Sequence, residues 1–140
     1  MVKIGNKFLF KKGENSPLSK HFTTKEFECQ CANDDCIDQI IECSLIEKLE
    51  AIRQEIAIPI KVTSGFRCTK HQEALRNSGT LTVVAKKSTH ELGQAADIKA
   101  QMPIDELEKV CAKHFQSIGI AKTFLHCDLR TDKPKRRWAY

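Results

Sequence analysis

His90, Asp97 and His126 are the residues whose types and settings point most directly to chemistry. Imidazole nitrogens and a carboxylate oxygen are donors that a catalytic zinc takes from a protein, three of them, with a fourth position kept open. The first two lie in Ser88-Thr89-His90-Glu91-Leu92-Gly93-Gln94-Ala95-Ala96-Asp97, and the third in Phe124-Leu125-His126-Cys127-Asp128-Leu129-Arg130. Gly93, shortly after His90, permits a turn that other residues resist, and small Ala95 and Ala96 let the returning backbone come close. Asp97 can then fold back toward His90. The second segment alternates, so as a strand it presents His126, Asp128 and Arg130 on one face and Leu125, Cys127 and Leu129 on the other. Spacing alone leaves a blander reading open, as packed or surface residues, because such strings recur by chance.

Hydrolysis at such a site also needs a group that accepts a proton from water and returns it to the leaving amine. Asp128, on the same side of the strand as His126, is the candidate base. It could instead hydrogen-bond a ligand histidine from behind. Glu91, beside His90, is the reserve. Arg67 ends the strand-like run Ile60-Lys61-Val62-Thr63-Ser64-Gly65-Phe66. It is either a surface charge or a guanidinium that holds a substrate carboxylate or a developing oxyanion.

In order along the chain, Ser64-Gly65-Phe66-Arg67-Cys68, S-x-H-x-x-G-x-A-x-D at 88–97, F-x-H-x-D-x-R at 124–130 and Arg137-Trp138-Ala139-Tyr140 form a pattern. It resembles the zinc D-alanyl-D-alanine carboxypeptidase family. That family also holds vancomycin-resistance dipeptidases and phage L-alanyl-D-glutamate endopeptidases, with hedgehog signalling domains as distant fold relations. The likeness runs from about residue 18 to the C-terminus and is sharpest from 60 onward. It implies Zn2+ held by His90, Asp97 and His126, with Arg67 and Asp128 as catalytic residues. It further implies hydrolysis of a peptide bond in bacterial peptidoglycan stem peptides, as a D,D-carboxypeptidase or an L-Ala-D-Glu-type endopeptidase of phage or prophage endolysin kind. One departure matters: the best-known branches place an acid three residues before the second histidine, and position 123 here is Thr. A non-catalytic zinc-containing wall-binding or virion structural module is therefore the alternative.

Composition sets the outer limits. A chain of 140 residues suits one domain, read as an extended lead-in over 1–17 and a single peptidase-like domain over 18–140. With 41% hydrophobic and 29% charged residues, it has the balance of a soluble protein, and no apolar run approaches the ~20 residues of a membrane helix. Without a secretory-type apolar block near Met1, synthesis in the cytoplasm and action at the cell wall are expected, as a monomer. The net charge of +5 owes much to Lys133, Lys135, Arg136 and Arg137. Solubility is the default reading of that cluster, and no nucleic-acid-binding signature accompanies it. Seven cysteines are many for this length. Reduced thiols are the first expectation, while Cys29-x-Cys31-x4-Cys36 suggests a structural metal site completed by Cys43, Cys68 or His21.

The elements that must position these residues are predicted as helix, strand, helix, strand, helix, strand, an α+β fold with a small antiparallel sheet flanked by helices, hedgehog/DD-peptidase-like. Thr23 or Thr24 caps a helical turn, with Glu26 or Glu28 in its first positions. Apolar residues at three and four over 37–56 predict the longest helix. A strand over 60–63, a short helix over 71–77 and a strand over 95–100 follow. Pro103 starts a helix over 104–114, and 117–120 turn the chain into the strand bearing His126. Residues 81–87 read as a strand or a rim of the cleft. Trp138 and Tyr140 are expected to pack over the site or the sheet edge.

Overall fold

The structure, a computed structural model, describes residues 1–77 and 88–140, so the reading of 81–87 lies outside the described residues. In chain order the elements are β1 (Val2–Ile4), β2 (Lys7–Lys11), α1 (Thr24–Phe27), β3 (Asp38–Glu42), α2 (Cys43–Ile56), β4 (Ile60–Ser64) and α3 (Thr69–Asn77). They continue with β5 (Ala95–Ala100), α4 (Ile104–Cys111), β6 (Ser117–Ile120), β7 (Leu125–Asp128) and β8 (Arg136–Ala139). The fold is α+β. One sheet has the order β1-β2-β3 and the other β4-β5-β7-β6-β8. All pairs are antiparallel except β6 with β8, which run parallel.

Alternation divides the larger sheet into two chemically distinct faces. Ala96, Ile98, Ile118, Leu125 and Cys127 point into the core, where they meet Leu45, Leu49 and Ile52 of α2 and Leu107 and Cys111 of α4. Asp97, His126, Asp128 and Ser117 stand on the other face, all buried. The apolar stripe of α4 makes this possible: Leu107 and Cys111, four apart, are its buried residues, and Asp105 and Glu106 suit the positive end of its dipole.

The helix predicted over 37–56 divides in two. Residues 38–42 are strand β3 and the helix begins at Cys43. Ile37, Ile40 and Ile41 satisfy helical spacing, but β-branched residues also suit a strand, and Phe8 and Phe10 of β2 lie beside them, pairing Phe8 with Ile41 and Phe10 with Gln39. Long-range pairing decided the outcome. Residues 1–17, expected as an extended lead-in, are extended but not separate. Their hairpin pairs with β3, and Phe10 enters the same core cluster as the larger sheet. Ser117–Ile120 is likewise a full strand between β7 and β8.

Short polar anchors fix the entry segment. Thr23 N–H donates to Glu26 Oε2 at 2.7 Å, as the capping pattern predicts. Glu50 of α2 accepts hydrogen bonds from Ser19 Oγ (2.6 Å) and His21 N–H (2.9 Å) and pairs with the His21 ring (2.6 Å). Partial burial pushes the Glu50 carboxyl up, but these partners outweigh it and hold its pKa at about 2. A depressed native pKa contributes stability that is complete above the unfolded value and is lost as pH falls from about 4.5 toward 2. Glu50→Gln is therefore expected to flatten the acid limb of a stability-against-pH curve in that window. An unchanged slope in chemical denaturation would count against this anchor.

Candidate active site

A single transverse row of the large sheet carries the site. Ser64 of β4 pairs with Asp97 of β5, Asp97 with His126 of β7, His126 with Gly119 of β6, and Gly119 with Trp138 of β8. Cross-strand partners share a face, so Asp97 and His126 meet although 29 residues apart. His90 reaches them from the loop before β5. Gly93 closes that loop in the left-handed region at φ 70°, and a Cβ there would stand 2.6 Å from Ile40 O. Its own carbonyl accepts Glu42 N–H at 2.9 Å, docking the loop on β3. This is the turn expected after His90.

The inner atoms converge. His90 Nε2 lies 3.2 Å from His126 Nδ1 and 3.3 Å from Asp97 Oδ1, and His126 Nδ1 lies 3.0 Å from Asp97 Oδ1. Neighbouring donors around a tetrahedral zinc bound at about 2.0–2.1 Å stand about 3.3 Å apart. These three donors are already at that spacing. Both rings are also locked from outside: His90 Nδ1 donates to Gly65 O at 2.7 Å, and His126 Nε2 donates to Asp128 Oδ2 at 2.7 Å. Each ring thereby turns its lone pair inward, as a metal-binding histidine must. The residues present fit a divalent ion of the zinc kind.

Electrostatics agree with this division of labour. Burial lowers the His90 pKa against the opposing pull of Asp97. Burial also lowers His126, but Asp128 and Asp97 outweigh it and the net shift is upward. Asp97 would be raised by burial, yet the two imidazoles beside it hold it well below the ordinary carboxylate range. Falling pH thus loads His126 with a proton that competes with any metal for Nδ1.

Arg67 and Asp128, the two residues expected to be catalytic, are both brought to the site and both brace it. Arg67 donates to Asp97 Oδ2 at 3.0 Å, to Ser64 Oγ at 2.9 Å and to Gln72 Oε1 at 3.3 Å. The guanidinium takes the outer carboxylate oxygen and leaves Oδ1 to the histidines. Asp128 has no exposed surface. Besides His126 it receives Ser117 Oγ at 2.9 Å and, at its two oxygens, the Arg130 side chain at 2.9 and 3.0 Å. The geometry favours the orienting role over the base. Glu91 turns toward Thr69 Oγ1 (3.3 Å) and is absent from the cleft lining.

A cleft of about 910 Å³ opens over the donor trio. Arg67, Arg130, Lys133, Lys135, Arg136 and Arg137 line it against a single side-chain carboxylate, that of Asp97, among the described residues. Residues 78–87 contain no Asp or Glu. The basic cluster read as a solubility device therefore faces the site. A family model described as Peptidase M15 matches residues 20–128. The chain belongs to the peptidase M15 family. No curated protein matches it. No helix among the described residues is long and apolar enough to cross a membrane. As an M15 chain it is expected to act on a peptide, which the cleft is large enough to take.

Trp138, expected over the site or the sheet edge, packs beside His126. Its indole lies over Gly119 and brings its ring 5.2 Å from His126, with Arg130 stacked 5.4 Å from the indole. A Cβ at Gly119 would stand 2.6 Å from the indole. Gly119→Ala is expected to push Trp138 away and to cost about 1–3 kcal/mol of stability through overpacking. Trp138 is the sole tryptophan, so its fluorescence reads the displacement directly. Unchanged emission and melting temperature would show that the close approach is unimportant.

Proposed function

We propose that this M15 chain is a zinc peptidase that hydrolyses a peptide bond in bacterial peptidoglycan stem peptides, as a D,D-carboxypeptidase or an L-Ala-D-Glu-type endopeptidase, in the setting of phage or prophage lysis. The observation that carries it is the convergence of His90 Nε2, Asp97 Oδ1 and His126 Nδ1 under a cationic cleft. His90, Asp97 and His126 would hold the ion, which when bound supplies a Lewis acid that polarises a carbonyl and acidifies water. Arg67 and Asp128 keep Asp97 and His126 aimed inward. Stem peptides carry free carboxylates, and Arg130, Lys135 and Arg137 offer the charge to hold them. Residues 18–140 form the peptidase unit in this proposal, with the hairpin of 2–11 packed on it.

Proton transfer falls to a cleft group. His71 lines the cleft beside Arg67, and burial followed by the charge of Arg67 and Lys12 lowers its pKa. That direction favours the neutral ring, the form that accepts a proton. Glu91 is the reserve.

One observation favours a second reading: among the described residues, no side-chain carboxylate besides that of Asp97 lines the cleft. That is what a zinc-containing wall-binding or virion structural module, without catalysis, would have. Digestion of purified peptidoglycan, followed by mass spectrometry of released fragments and assay of new amino groups, separates the two. Newly exposed amino groups at one bond support the peptidase and name the bond. Binding without release, with zinc loaded, supports the module. Parallel digests with His71→Ala and Glu91→Gln identify the proton acceptor. The cleft favours His71; undiminished release by His71→Ala removes it from that role, and loss of release in Glu91→Gln gives the role to Glu91.

A further inference from the structure

Four cysteines outside the cleft's donor trio come together from distant parts of the chain. Cys29 and Cys31 follow α1, Cys36 precedes β3, and Cys68 follows Arg67 at the head of α3. Their sulfurs all lie within 4.8 Å of one another. The Sγ atoms of Cys31 and Cys68 are 3.7 Å apart, which is far from the ~2.0 Å of a disulfide. It is the separation expected of two thiolates on a tetrahedral zinc, about 3.8 Å for bonds of about 2.3 Å.

The surroundings also suit thiolates. Each sulfur has its own N–H donor: Cys68 N–H to Cys29 Sγ (3.3 Å), Lys12 Nζ to Cys31 Sγ (3.4 Å), Gln39 Nε2 to Cys36 Sγ (3.5 Å) and His71 N–H to Cys68 Sγ (3.4 Å). A neutral thiol is a weak acceptor that needs no such partner, whereas a metal-bound thiolate carries charge that donors stabilise. Lys12 also places a cation against the quartet, held by Cys31 O at 2.6 Å. Cys29 and Cys36 are buried and Cys31 and Cys68 half-buried.

We infer that Cys29, Cys31, Cys36 and Cys68 form a second, structural Zn2+ site, separate from the trio of the cleft. Four protein donors close the coordination shell, so this ion holds structure and does no chemistry. It ties the entry segment after α1 to the loop that carries Arg67. That loop positions Asp97 and supplies the Gly65 carbonyl to His90. The site therefore clamps the outer support of the cleft. The sequence pattern supplies three of the donors, and the fold selects Cys68 over Cys43 and His21 as the fourth.

Metal analysis of the full chain, purified under reducing conditions, tests this. Two zinc ions per chain are expected in the natural sequence, one in His126→Ala, and one in the double variant Cys31→Ser/Cys68→Ser. Cobalt substitution of His126→Ala is expected to retain thiolate-to-cobalt charge-transfer absorption. Should the cysteine variant fail to fold, mercurial titration of the natural protein stands in, with one zinc released as four thiols react. Four thiols titrating without zinc release, disulfides among the quartet, iron in place of zinc, or a single zinc that disappears with His126→Ala would each overturn the assignment. Because the two ions are counted separately, loss of this proposal leaves the cleft reading intact, and the reverse.

Discussion

Replacing His126 with alanine is expected to remove the zinc of the cleft and reduce stem-peptide hydrolysis by more than about 100-fold, beyond the 10–100-fold range for loss of an outer partner. The reason lies in the donor count. His126 Nδ1 stands 3.0 Å from Asp97 Oδ1 and 3.2 Å from His90 Nε2, so its removal leaves two donors where a catalytic zinc needs three. The ring is also buried against Trp138 and His90, and the vacated volume costs stability. Asp97→Asn is the companion variant because it keeps volume while removing the charge that faces both imidazoles and Arg67. It leaves the guanidinium without its carboxylate partner, so some loss of stability is expected there too. Far-UV circular dichroism and melting temperature separate unfolding from metal loss. A folded His126→Ala protein that keeps the cleft zinc and its rate would remove His126 from the site.

The second large effect is expected at Asp128. Asp128→Asn preserves shape but removes the charge that draws His126 Nε2–H outward and holds Arg130. Zinc affinity and hydrolysis are expected to fall together, by about 10–100-fold, and excess zinc should restore part of the rate. A proton-accepting role predicts otherwise: zinc bound at full strength and hydrolysis gone at every zinc concentration. Its complete burial and its partners Ser117, His126 and Arg130 favour the first outcome. Metal titration with a competing chelator, run beside the activity assay, distinguishes them.

Much of this arrangement is legible in local pattern, and the remainder depends on contacts that pattern does not encode. The strand over 95–100 and the helix from Ile104 follow from alternation and from Pro103 with acidic residues in the first turn. His90 and Asp97 stand out because zinc chemistry needs those donor types and the turn at Gly93 allows them to meet, and His126 because alternation puts it on one face with Asp128. β3 is not legible, since three isoleucines fit helix and strand alike and only pairing with Phe8 and Phe10 decides. Sequence leaves the role of Asp128 open between two readings because alternation gives the face of a residue but not its depth. Burial behind His126 comes from Ser117 and Arg130, 11 and 2 residues away in sequence. The basic cluster at 133–137 carries no hint of direction in one dimension. Parallel pairing of β8 with β6 turns it toward the cleft. Cys68 joins the other cysteines for the same reason: the loop after β4 returns beside α1, where Phe66 N–H bonds Phe27 O at 2.8 Å.

Anomalous diffraction at the zinc edge from crystals of the zinc-loaded protein tests the central claim most directly. The account predicts a peak within bonding distance of His90 Nε2, an Asp97 carboxylate oxygen and His126 Nδ1, at the floor of the basic cleft. Zinc-loaded crystals with no peak among those three side chains would contradict it.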